Sequence, residues 1–104
     1  MSLIARGPVD TVMALAIIHH LAISNNLPFD KIFQLFNRIC RKSLIIEFIP
    51  KQDSKVQELL LNREDIFHNY NQNSFEVECK KYFTIKNVVK IKGSERMIYF
   101  MIKN

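Results

Sequence analysis

Glycine is nearly absent from this chain: 104 residues hold only Gly7 and Gly93. No GxGxG loop can be assembled from them, and such loops need glycine because the backbone must approach the ligand closely. Cysteine is equally sparse. Cys40 and Cys79 lie far apart with no CxxC spacing, which argues against a disulfide framework and suits unpaired thiols in a reducing cytoplasm. The longest apolar run, residues 12–18, is far too short to span a bilayer. No basic-then-apolar signal peptide opens the sequence, so a cytoplasmic location without membrane contact is expected. The opening Met-Ser-Leu reads as a vector-derived scar, with the natural frame beginning upstream.

The composition, 48% hydrophobic and 24% charged, is that of a globular chain, and the length allows one domain at most. The net charge of +5 raises nucleic acid as a partner, and Lys80, Lys81, Lys86, Lys90 and Lys92 fall close together. Glu76, Glu78 and Glu95 flank them, so a solvated lysine face is the better reading and nucleic-acid binding is not expected.

Residues 9–18 (VDTVMALAII) run almost without alternation, which suits a strand buried on both faces of a parallel sheet. Pro28 suits a helix start, and Phe29, Ile32, Phe33, Phe36 and Ile39 recur at helical spacing through residue 40. Residues 43–49 (SLIIEFI) form a second buried strand stopped by Pro50. Asp53 or Ser54 can cap a helix running to Leu61, and residues 63–70 read as a short helix plus loop. Asn73 or Ser74 caps a further helix. Strands at 83–91 and 96–103 follow, joined as an antiparallel hairpin by a Gly-Ser turn. Strand-helix alternation of this kind builds a parallel α/β core.

The segment VDTVMALAIIHHL is similar to the fourth-strand motif of class I S-adenosylmethionine-dependent methyltransferases, an aspartate-led apolar strand ending in a histidine pair. More narrowly, HHLAISNN, IIEFIPKQD, REDIF and GSER together resemble a bacterial group of such methyltransferases associated with nodulation. The resemblance covers nearly all of the chain after Gly7 and implies a single partial domain, the C-terminal half of a Rossmann-like sheet. Its strands would stand in the parent order 4-5-7-6, the seventh antiparallel, with helices on both faces. The family's glycine-rich cofactor loop and its ribose-binding acid have no counterpart here, so an isolated chain should bind S-adenosylmethionine weakly and turn nothing over. The missing partner strands leave the edge at residues 12–18 open. That edge is expected to pair with a second copy as a homodimer, or with a missing N-terminal half.

The resemblance also implies the site. Ala14, Leu15 and Ala16 would line the cofactor's edge of the crevice, largely through backbone atoms. His19 and His20 would support cofactor or substrate, one on each side of an extended chain. Ala16 replaces an acid common in the family. Substrate contacts fall to Asn25, Asn26, Arg63 and Glu64, although the charged trio Arg63, Glu64 and Asp65 reads equally as helix-end charges. The bland alternative for the histidines is packing at a strand end. A metal site is not expected, because His68 lies in another segment and there is no HExxH. Glu47 reads as a satisfied polar group before a catalytic acid, Glu95 and Arg96 as a cross-strand or turn salt bridge, and neither cysteine as a nucleophile.

Overall fold

The computed structural model describes residues 9–61 and 64–104. Its strands are β1 (Val9–Ala14), β2 (Cys40–Phe48), β3 (Phe83–Lys90) and β4 (Met97–Lys103). Its helices are α1 (Phe29–Ile39), α2 (Ser54–Leu60) and α3 (Gln72–Cys79), with one π-helical turn at His20–Ser24. The four strands make one open sheet in the order β1-β2-β4-β3. β1 and β2 are parallel, and β4 runs antiparallel to both β2 and β3. The fold is therefore mixed α/β, with the anticipated strand order and the reversed final strand.

Local signals explain most boundaries. Pro28 holds an extended φ/ψ immediately before α1, where a missing N–H costs nothing. Asp30 sits in the first turn of α1 and Arg38 in the last, as the helix dipole favours. At the far end of α1, Lys103 Nζ donates to the carbonyls of Asn37 (2.7 Å) and Cys40 (3.2 Å), capping orphan acceptors. Asp53 caps α2 by accepting the Lys55 N–H at 2.9 Å. Gly93, with φ +78°, makes the tight turn between β3 and β4.

Several expectations need correction. β1 ends at Ala14, not Ile18, because its last ladder partner is Ile46 and the chain then turns through Ala16 at φ +55°. Ile17, Ile18, Leu21 and Ala22 instead follow helical spacing, and Ile18 and Ala22 enter the core. Residues 64–71 hold no helix; Lys51 Nζ pins that loop by donating to Asp65 Oδ1 (2.9 Å) and the Phe67 carbonyl (2.8 Å). α3 is capped by Asn71, whose side chain accepts the Ser74 N–H at 2.8 Å, rather than by Asn73 or Ser74.

The core lies on one side of the sheet. Val12, Ala14, Leu44, Ile46, Phe48, Tyr99, Met101 and Phe83 point to it and meet the apolar stripe of α1. Phe75 of α3 stands at its centre, with ring centroids 5.0–5.6 Å from Phe29, Phe33, Phe48 and Tyr99. The opposite face carries the partly exposed Met13, Phe100, Ile102 and Val89, so helix cover on both faces is not observed among the described residues. We predict that Phe75→Ala lowers the unfolding free energy by about 3–5 kcal/mol in a urea titration, the cost of truncating a fully packed aromatic. A loss below about 1 kcal/mol would mean that α3 does not close this core.

Candidate functional site

In an open α/β sheet, ligands sit beyond the carboxyl ends of the parallel strands. Here those ends are Ala14 of β1 and Phe48 of β2. Beyond Ala14 the backbone needs a partner for the next amides, and β2 supplies one from a side chain. Glu47 Oε1 accepts the Ala16 N–H at 2.7 Å. Glu47 is buried, 6% exposed, on the sheet face opposite the core. Its carboxylate is thus held by a charge-assisted bond at the mouth of the β1 turn.

That turn delivers the histidines. The expected divergence of His19 and His20 is corrected: both sit in helical geometry, and their rings touch at a centroid distance of 4.2 Å. His20 is exposed, whereas His19 is 4% exposed and its buried Nδ1 has no hydrogen-bond partner. Burial pushes the His19 pKa down to about 4, and the nearby His20 and Arg96 push the same way. At neutral pH it is an uncharged imidazole with one unsatisfied buried nitrogen.

Arg96 precedes β4 and binds Asp53 in a two-pronged pair: Nε to Oδ2 at 2.8 Å and Nη2 to Oδ1 at 2.9 Å. The guanidinium holds the Asp53 carboxyl below its ordinary pKa, and the Asp53 carboxylate raises that of Arg96. Tyr70 is buried beside this pair, donates to the Ile49 carbonyl, and has its phenol pKa raised by burial. The four segments HHLAISNN, IIEFIPKQD, REDIF and GSER therefore interlock at one end of the sheet. Asp53 pairs with Arg96, Lys51 with Asp65, and Glu47 with the turn before His19.

The expected site residues divide. Ala14, Ala16 and His19 belong to this end, with Leu15 exposed beside them. Asn25 closes the π turn by donating to the His20 carbonyl at 3.0 Å. Asn26 takes the left-handed conformation at φ +53° and lines a groove of about 720 Å³ with Phe29, Asp30, Phe67, Asn73 and Glu78. That volume is of ligand size. Glu64 is exposed and lines no described cavity; Arg63 lies outside the described residues. Sequence reasoning missed the pairing of Asp53 with Arg96 and the position of Tyr70. The only signal for Asp53 and Arg96 was membership of the resembling segments, and Tyr70 lies outside all four of them. Among the described residues no group of three His, Cys, Asp or Glu side chains converges as a metal would need. No described helix is long and apolar enough to cross a membrane.

The depressed His19 pKa fixes a pH dependence. The unfolded state takes up the proton near pH 6.5 and the folded state only near 4, so stability is full above that window and falls as pH drops through it. The loss should be on the order of 3 kcal/mol. We predict that His19→Leu flattens the stability slope between pH 6.5 and 4 in urea titrations. An unchanged slope would show that His19 is not the titrating group. The Asp53 contribution acts separately, disappearing only as pH falls through the range below 3.8.

No family model and no solved structure matches the chain. It is similar to nodulation protein NoeA of Rhizobium meliloti (strain 1021), with 39% identity over 95 residues. The match takes in 91% of this chain but only 20% of NoeA, so the chain spans about a fifth of the length of that curated relative.

Proposed function

We propose that this chain is the C-terminal portion of an S-adenosylmethionine-dependent methyltransferase with a Rossmann-like sheet, acting in the bacterial cytoplasm. The observation that carries the reading is the meeting of the four resembling segments at the carboxyl ends of β1 and β2. The alternative is a non-catalytic α/β interaction module derived from such an enzyme, favoured by the nearly bare second sheet face.

The residues present fit one wall of a cofactor site. Leu15 and Ala16 expose the end of β1, and His19 offers an unpartnered ring nitrogen nearby. Glu47 keeps the turn in place, and the Asp53–Arg96 pair braces α2 against the hairpin. The glycine-rich wall has no counterpart among the described residues, whose one glycine, Gly93, lies in the β3–β4 turn. When bound, S-adenosylmethionine would supply the methyl group. The chain's own part is to line and orient, with Asn26 presenting an acceptor molecule from the adjoining groove. The outer edge of β1 is where an N-terminal portion would add its strands.

An NMR titration of S-adenosylhomocysteine into the isotope-labelled chain tests this. Weak binding, in the millimolar range, should shift the amides of Leu15, Ala16 and His19 first. Glu47→Gln, which weakens the hold on the Ala16 amide, should reduce those shifts several-fold. Shifts confined to other parts of the chain, or none at millimolar ligand, would defeat the cofactor reading.

A further inference from the structure

The groove that Asn26 lines is chemically out of keeping with the rest of the chain. The sequence holds 15 lysines and arginines, yet among the described residues none of them lines this groove. Two carboxylates do: Asp30 from the first turn of α1 and Glu78 from the last turn of α3. Glu78 is answered by Lys81 at 2.8 Å. The donors that reach Asp30 are uncharged, the Gln34 amide at 3.1 Å and the Tyr82 hydroxyl at 3.3 Å. The groove therefore keeps a local negative charge in a molecule of net charge +5. Much of the remaining lining is aromatic or aliphatic. Phe29 and Tyr70, with ring centroids 5.5 Å apart, line it together with Phe67. Ile66 and Val77 line it too, and both are more than half exposed, at 57% and 51%.

We infer that this groove binds a molecule with a cationic amine head and an apolar hydrocarbon body. Asp30 supplies the counter-charge, and aromatic side chains in the lining favour a cation further. Ile66 and Val77 take the hydrocarbon, whose transfer out of water drives binding. A carboxylate or phosphate in the same place meets like charge at Asp30 and finds no lysine or arginine in the lining to answer it. A neutral alcohol of equal length gains the apolar contacts and forgoes the ionic one. The discrimination is set by a half-buried carboxylate, so it amounts to several-fold rather than many orders of magnitude. The inference names a class of acceptor for the groove and rests on the proposed function only for what becomes of the amine. Binding itself needs no cofactor.

The isotope-labelled chain can be titrated with n-hexylammonium chloride, n-hexanol and sodium hexanoate while amide shifts are followed by NMR. Hexylammonium should bind saturably in the millimolar range and move the amides of Asn26, Phe67, Asn73 and Val77. Hexanol should bind at least threefold more weakly and hexanoate at least tenfold. Asp30→Asn should weaken hexylammonium at least threefold and leave hexanol unchanged, a split that a merely structural role would not give. Glu78→Gln, which removes the second carboxylate and leaves Lys81 unpaired, should act in the same direction and serves if Asp30→Asn fails to fold by circular dichroism. Hexanol or hexanoate binding as tightly as hexylammonium would overturn the inference. So would shifts lying outside the groove, or none at tens of millimolar. The cofactor reading fails separately, on the amides of Leu15, Ala16 and His19 with S-adenosylhomocysteine.

Discussion

The hydrogen bond from the Ala16 amide to the Glu47 carboxylate decides where β1 stops, and the rest of this end of the molecule follows from it. The ladder to β2 finishes at the Ala14–Ile46 pair. The next amide to find a partner, that of the exposed Ala16, finds it in a side chain. The bond to the carboxylate offsets part of the cost of about 1–2 kcal/mol for an alanine in the left-handed region. Once turned, residues 17–22 coil, Ile18 enters the core, and His19 is buried against the Asp53–Arg96 pair. Glu47 thus acts as a structural acceptor at the crevice mouth, in keeping with its reading as a satisfied polar group.

Where the chain carries a local signal, the fold was legible. Pro28 and Pro50 bracket α1 and β2, the stripe from Phe29 to Ile39 marks a helix, and Gly93 marks the hairpin turn. What was not legible depends on residues far apart in sequence. The end of β1 is set by a side chain 31 residues away, and the Asp53–Arg96 pair joins positions 43 apart. From the sequence alone Asp53 is a helix cap, and Glu95 and Arg96 form a cross-strand or turn salt bridge. Asp53 does cap α2 and Glu95 does pair with Lys90 across the turn, but Arg96 leaves the turn and binds Asp53, and that pair braces the site. The one-sided cover of the sheet was equally hidden, because an apolar strand such as SLIIEFI reads the same whether one face or both are packed.

Packing explains why the loops at this end can hold a defined geometry. Tyr70 stacks on Phe48 at 5.6 Å and lies 5.5 Å from Phe29, so the loop after α2 rests on the same aromatic cluster as Phe75. Lys51 ties the start of that loop, and Tyr70 closes it through the Ile49 carbonyl. The site is therefore mounted on the core rather than suspended from it. Among the described residues, His19 Nδ1 stands out against this level of satisfaction, because the other unbonded buried atom, Glu78 Oε1, lies 2.8 Å from Lys81 Nζ. Such an atom costs stability unless a partner serves it, which is why it weighs more than the exposed His20 in any account of binding.

The two edges of the sheet are built differently, and the difference has a direction. β3 carries a register irregularity between Ile85 and Asn87, and Lys86 and Lys90 are exposed along it. Bulges and lysines of this kind discourage further pairing. β1 has no lysine or arginine, and its Asp10 is neutralised by Arg41 at 3.4 Å. Growth of the sheet by further strands is therefore discouraged along β3 but not along β1, beside the crevice. Lysines hold the opposite edge in water. Among the described residues, the edge without lysine is the one that adjoins the Ala16 turn and His19.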